Sequence, residues 1–172
     1  MIILVTKRLL LKKASPGDAA FFLTLLNSPN WIEFIGDREI RTTNDSIKYV
    51  EDSLINSYNK NGYGLYIMYL KDSEKPIGIC GFIKRDYLDS ADIGFAILPE
   101  YEGKGYTYEA SIATMEYGKS QLKLDIIFAI TTEENKKSQN LLAKIGLTKT
   151  GKITPENTET EFLLFSNSKK KV

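Results

Sequence analysis

Apolar and polar positions divide this chain into short elements of alternating type. The apolar run Leu9-Leu10-Leu11 predicts a first strand over residues 6–14. Ser15-Pro16-Gly17-Asp18 then reads as a helix start, with a serine N-cap, a proline at the first helical position and an acid that complements the helix dipole. That helix carries Phe21, Phe22, Leu25 and Leu26 and stops before Pro29. Residues 31–41 mix aromatics, charges and Gly36, the composition of a loop or a short helix. Ile47, Val50, Leu54 and Tyr58 recur at helical spacing, and Asn61-Gly62 closes that element. Two strand-like runs, 65–70 and 77–84, are joined by a polar hairpin connection, and a third at 91–98 completes an antiparallel meander. The pattern then passes through a glycine turn into a helix of about residues 107–121. Residues 125–131 predict a strand, 136–144 a helix ending at Gly146, and 162–165 a last strand. The sum is an α/β (α+β) chain, a central mixed, mostly antiparallel sheet flanked by helices. It reads as one domain over 1–172, with about 167–172 expected to be a flexible, lysine-containing tail.

Composition narrows the chemistry. Lysine and arginine (23) nearly balance aspartate and glutamate (22), so neither nucleic acid nor an anionic membrane is expected as a partner. No apolar run approaches a membrane span, and Lys7-Arg8 follow the apolar start instead of preceding it, the wrong order for a secretory signal. The single cysteine, Cys80, fits a reducing cytoplasm and sits mid-strand in apolar company, where it should be inert. The absence of histidine removes every Ser-His, Cys-His and His-metal mechanism, and no metal is expected. Acid–base work falls to Asp, Glu, Tyr, Lys, Cys, water or backbone.

Two segments carry candidate chemistry. Glu102-Gly103-Lys104-Gly105-Tyr106 lies between a strand and a helix, where unpaired backbone N–H groups and the positive end of the dipole favour a phosphate or pyrophosphate. Alone, it reads equally well as a tight turn. Asn135-Lys136-Lys137-Ser138, followed by Leu141, Leu142, Gly146 and Leu147, reads as a helix with an asparagine N-cap and a glycine C-cap.

Together, in this order, the two segments resemble the GNAT superfamily of N-acetyltransferases. Its first motif, Arg/Gln-x-x-Gly-x-Gly/Ala after the fourth strand, maps onto Glu102, Gly105 and Thr107. Its second, after the fifth strand, maps onto Asn135, Ser138, Leu142, Gly146 and Leu147. The start Thr6-Lys7-Arg8-Leu9 and the run Ala91-Asp92-Ile93-Gly94-Phe95 resemble the subgroup that acetylates ribosomal-protein N-termini. The resemblance extends over residues 6–165. It departs at Glu102, a carboxylate beside a phosphate site that should turn to solvent with Lys104 offsetting it, and at Thr107, which adds a methyl.

The resemblance implies direct attack of an amine on acetyl-CoA, the co-substrate. Leu98, Glu102, Gly103, Lys104, Gly105, Tyr106, Thr107, Asn135 and Ser138 would hold the cofactor. The Leu98 N–H would stabilise the developing oxyanion. Leu142 stands where many members have a catalytic tyrosine, so Ser138 becomes either an acid for the departing thiolate or a helix residue beside the cofactor. Asp92 is either the base or an exposed strand-end acid. Trp31 and Glu33, with Asp37, would meet the amine, although Trp31 is equally a core aromatic. Tyr66 and Phe82 are expected to pack. A homodimer is the family-level expectation. The alternatives are a catalytically inactive CoA-binding module and a nucleotide-binding regulatory domain.

Overall fold

The computed structural model describes residues 1–156 and 158–168. Its centre is an eight-stranded sheet in the order β1-β2-β3-β4-β5-β6-β8-β7. β1 (Ile2–Val5), β2 (Leu9–Lys12), β3 (Leu65–Leu70), β4 (Pro76–Ile83) and β5 (Asp92–Ile97) run antiparallel, each to the next. β6 (Phe128–Thr131) lies parallel to β5, and β8 (Phe162–Ser166) joins β6 to β7 (Thr148–Ile153).

The meander and the last strand stand where the apolar pattern put them, but two strands are additional. β1 is a short apolar segment without alternation, and its ends Ile2 and Val5 are exposed on the sheet edge. β7 is Thr-Lys-Thr-Gly-Lys-Ile, a polar edge strand with no apolar stripe to betray it. β6 begins at Phe128, three residues later than the apolar run starts, since residues 125–127 form the approach to the strand. β4 is buried along nearly its whole length, at the centre of the sheet with the helix Tyr106–Ser120 packed against it and β5.

The helices form where capping chemistry allows. The Asp18 carboxylate accepts from the Ser15 N–H and hydroxyl at 2.8 Å each, opening a short 3-10 turn that leads into α1 (Ala19–Leu26). Pro29 ends that run and opens α2 (Pro29–Phe34). α3 (Thr43–Tyr49) is capped by Thr42, with the Asp45 carboxylate accepting from the Arg41 and Thr42 N–H groups at 3.0 and 2.8 Å. The chain then widens into a π-helical stretch, Val50–Ile55, before α4 (Asn56–Asn61) stops at Gly62. The sequence spacing predicts one uninterrupted helix here. The widened turn keeps Val50, Leu54 and Tyr58 in the core. α5 (Tyr106–Ser120) crosses over from β5 to β6, and α6 (Lys136–Lys144) follows β6.

Tyr66 and Phe82 are fully buried core residues, as their strand positions suggest. Cys80 is buried too, with its thiol beside the Thr114 and Ser111 hydroxyls at 3.4 and 3.7 Å, and burial pushes its pKa up to about 11. At the expected tail, the Asn167 side-chain oxygen accepts from the Ile127 N–H at 2.8 Å and its amide group donates to the Asp125 carbonyl at 3.2 Å. Residues 169–172 lie outside the described residues.

One buried hydroxyl ties the first helices together: Ser46 donates to the Ala19 carbonyl at 2.7 Å, locking α3 to α1. Ser46→Ala is expected to cost about 1 kcal/mol. That corresponds to a Tm lower by roughly 2–4 °C in a chain of this size, readable by calorimetry. An unchanged Tm would show that this bond does not fix the pair.

Candidate active site

Strands β5 and β6 meet only at their beginnings. The β4–β5 ladder runs from Ile83↔Asp92 to Gly78↔Ile97, whereas β5 is in register with β6 at Asp92↔Phe128 alone. There the Phe128 N–H donates to the Ala91 carbonyl at 3.0 Å. Beyond that point the strands part, and a cavity of about 850 Å³ opens between them and extends beneath α2 and the π-helical stretch.

The backbone direction of β5 follows from ladder alternation. The Leu98 N–H donates to the Ile77 carbonyl of β4 at 2.8 Å. Leu98 therefore has no free amide for an oxyanion, and the expectation that it supplies one does not fit. Residues alternate between the two neighbouring strands, so the Phe95 and Ile97 N–H groups face the opening gap instead.

At the far end of β5 the chain makes a 3-10 turn, Pro99–Tyr101, and then the glycine loop. Gly103 and Gly105 have φ of +71° and +78°, the left-handed region open to glycine at little cost. Gly105 caps α5, so the first amides of that helix are presented at its positive end. The loop is braced from behind by residues whose importance the sequence did not reveal. The Arg8 guanidinium donates to the Lys104 carbonyl at 2.9 Å and to Glu109 Oε2 at 2.6 Å, and it lies 4.4 Å from the Tyr106 ring centroid. Glu109 Oε1 also accepts from the Thr6 hydroxyl and the Arg8 N–H, both at 2.7 Å. Burial works to raise the pKa of Glu109, but these donors outweigh it and hold the carboxyl below its ordinary 4.5.

Glu102 does not turn to solvent. It lines the cavity, accepting from the Asn30 side-chain amide and from Lys137 Nζ at 2.9 Å, so α2, the loop and α6 are cross-braced through one carboxylate. Lys137, not Lys104, neutralises it; the Lys104 ammonium donates to the Glu100 carbonyl. Gly103, Thr107, Asn135 and Ser138 line the same cavity, whereas Lys104, Gly105 and Tyr106 stand outside its lining. Asn135 is an N-cap, its side-chain oxygen accepting from the Ser138 N–H at 3.1 Å.

Asp92 is 1% exposed, which removes the reading of an exposed strand-end acid. Its Oδ2 accepts from Arg85 Nε at 3.0 Å, while Oδ1 has no hydrogen-bond partner among the described residues. Burial raises its pKa above 3.8 against the pull of the Arg85 charge and hydrogen bond. Trp31 is both a core aromatic and a cavity wall, with its indole N–H unpartnered among the described residues. Glu33 is exposed and outside the lining, and Asp37 is held by Arg41 at 2.5 Å. Among the described residues, no three His, Cys, Asp or Glu side chains gather as a metal site.

A family model described as Acetyltransferase (GNAT) domain matches residues 8–148, most of the chain. The chain belongs to the GNAT acetyltransferase family. Its relatives include the uncharacterized N-acetyltransferase YnaD of Bacillus subtilis, 28% identical, with 91% of this chain and 90% of that protein covered. The [Ribosomal protein uS5]-alanine N-acetyltransferase of Escherichia coli is 30% identical over 57% of this chain and 52% of its own length. The crystal structure of a GNAT-family acetyltransferase from Bacillus anthracis superposes with a TM-score of 0.78 at 25% identity, covering 96% of this chain and 97% of the other. This GNAT protein is an acetyl-CoA-dependent N-acetyltransferase. The family's fourth and fifth strands are β5 and β6 here, displaced by one because β1 precedes the expected first strand.

The Arg8–Glu109 brace yields a test. Glu109→Gln is expected to weaken CoA binding roughly five- to thirtyfold at pH 7, the equivalent of about 1–2 kcal/mol. Because the Glu109 pKa is lowered, the brace is complete above the ordinary carboxylate range and lost as pH falls through the lowered value. Wild type and variant should therefore converge only in acid; equal affinities at pH 7 by calorimetric titration would contradict the brace.

Proposed function

We propose that this chain moves an acetyl group from acetyl-CoA to a primary amine by direct attack in a ternary complex. The observation that carries the proposal is the buried Asp92 with one unpartnered oxygen, at the point where β5 and β6 begin to separate. The glycine loop fits the co-substrate: two positive-φ glycines clear a path to the α5 amides, and the gap admits an extended arm alongside β5. Acetyl-CoA supplies an acetyl group activated as a thioester.

The loop amides at residues 103–107 bind the pyrophosphate, and Lys137 neutralises the Glu102 carboxylate beside it. The Ile97 amide bonds the arm of the cofactor. The Phe95 amide receives the negative charge that develops on the thioester oxygen. Distance separates the two roles: at about 3.3 Å per residue, Phe95 lies ~10 Å from Asp92 and Ile97 ~16 Å, so an amine near Asp92 can reach only the former site. Asp92 takes a proton from the incoming ammonium, directly or through one water, and Arg85 keeps Oδ1 directed to that task by occupying Oδ2. The Ser138 hydroxyl donates a hydrogen bond to the departing sulfur. The α-amino group of a protein is one acceptor the relatives support, since the Escherichia coli protein is named for an alanine of ribosomal protein uS5. The Lys137–Glu102 ion pair removes the charge argument that favoured an inactive CoA-binding module. The single, buried Cys80 supports a reducing, cytoplasmic setting.

Asp92→Asn is expected to lower kcat about a hundredfold while acetyl-CoA affinity changes less than about threefold. In the wild type, activity should fall as pH drops through the raised Asp92 pKa, an acid limb above the ordinary carboxylate range that the variant lacks. Full amine-dependent thiol release by Asp92→Asn would end this assignment.

A further inference from the structure

The cavity extends beyond the stretch that the glycine loop and α6 enclose. α2 runs from Asn30, which reaches Glu102, to Phe34, with Ile35 just past its end; Tyr49 and Tyr87 complete the far, acceptor end. The walls there are apolar and held by the core. Trp31 is buried, and the Tyr49 ring centroid stands 5.9 Å from that of the fully buried Phe22. The Ser28 and Ser57 hydroxyls are occupied within the fold, donating to the Leu25 and Tyr63 carbonyls at 2.7 and 2.8 Å. The rim is apolar as well. Ile35 is 44% exposed and Tyr87, on the β4–β5 connection, is 37% exposed. Exposed apolar side chains on two separate elements at one opening gain free energy when an apolar ligand covers them.

Charge points the same way. The acids of the lining are Asp92, ion-paired with Arg85, and Glu102, ion-paired with Lys137. The Arg85 guanidinium also lies 6.0 Å from the Tyr87 ring centroid, so it is engaged on both sides. The remaining charged side chain of the lining, Arg38, is a cation. A second ammonium brought into this end would find no uncommitted carboxylate among the described residues that line it. A polyamine or an aminoglycoside therefore loses hydration there without replacement. A molecule with one amine on an apolar body loses no such hydration, and each methylene it buries is favourable.

We propose that the acceptor is a small primary amine with one apolar body, aromatic or aliphatic, and no second charge, received between Phe34, Ile35, Tyr49 and Tyr87. This rests on the acetyltransferase reading of the same cavity. The walls hold the body and leave the amine at the gap, facing the thioester. Binding should therefore follow the apolar size of the body and fall when a second charge is added.

Trp31 is the only tryptophan in the chain and lines this cavity, so its fluorescence, beside calorimetry, reports occupancy without requiring chemistry. The full-length protein, saturated with CoA, would be titrated with n-butylamine, n-hexylamine, phenethylamine, hexamethylenediamine and spermidine. Affinity should rise about three- to fourfold per methylene, or roughly ten- to fifteenfold from butylamine to hexylamine. Hexamethylenediamine has the length of hexylamine with a second ammonium, and it should bind about tenfold or more weaker. Phenethylamine tighter than hexylamine would assign an aromatic body, and the reverse an aliphatic one. Phe34→Ser should flatten the dependence on chain length. Ile35→Glu, at an exposed site, should shift the hexylamine-to-diamine ratio about five- to tenfold towards the diamine; two variants guard against one that misfolds. No gain with chain length, diamine or spermidine binding as tightly as hexylamine, no binding of any amine, or ratios unmoved in both variants would overturn the proposal. Amine-dependent thiol release from acetyl-CoA is read separately. Tight hexylamine binding with no release sinks the acetyltransfer reading but leaves the ligand class standing, whereas equal release with every amine sinks the ligand class alone.

Discussion

A parallel strand pair normally stays in register for its length, because each unpaired peptide group forfeits a hydrogen bond that water or a neighbour must replace. β5 and β6 keep one register point, Asp92↔Phe128, and then separate. The separation leaves inward-directed amides on β5, and an extended ligand can complete the ladder that β6 abandons. Both flanks keep β5 in place while this happens. β4 holds the other edge of β5 through a continuous antiparallel ladder, and β8 pairs with β6 from Phe128 to Thr131. The gap is thus an opening between two rigid halves of one sheet.

Everything chemical is arranged around that opening. At one end, Arg8 and Glu109 hold the glycine loop against the start of α5, so the amides proposed to bind the pyrophosphate are fixed before any ligand arrives. At the other, Asp92 is desolvated and Arg85 compensates only half of it. A buried carboxylate in this state is costly to the fold and useful to a reaction that must take a proton from an amine. The Glu102–Lys137 pair adds a third fixed point. It converts what looks like a misplaced negative charge near a phosphate site into a brace across the mouth of the cavity.

Much of this frame was legible in the amino-acid pattern. The meander, the glycine turn and the α6 N-cap each arise from local chemistry: alternation, positive-φ glycines and an asparagine side chain over a helix start. What escaped depends on contacts distant in sequence. β7 is a strand because β8 offers it a partner, and its own polar residues carry no stripe. The link between Arg8 and Glu109 spans about a hundred residues, and no spacing rule connects them. The role assigned to Leu98 failed by one position, because an antiparallel ladder hands alternate amides to opposite neighbours and only the observed register says which. The direction of Glu102 was likewise decided by Lys137 on another helix.

The central claim is that the β5 amides facing the gap are kept for a ligand in the place of a continued β6. Residue-resolved hydrogen exchange, with and without saturating CoA, tests it most directly. The account predicts that the Phe95 and Ile97 amides exchange much faster than that of Leu98 in the free protein, and that both become strongly protected when CoA binds. Phe95 and Ile97 protected equally with Leu98 in the free protein, or unaffected by bound CoA, would contradict it.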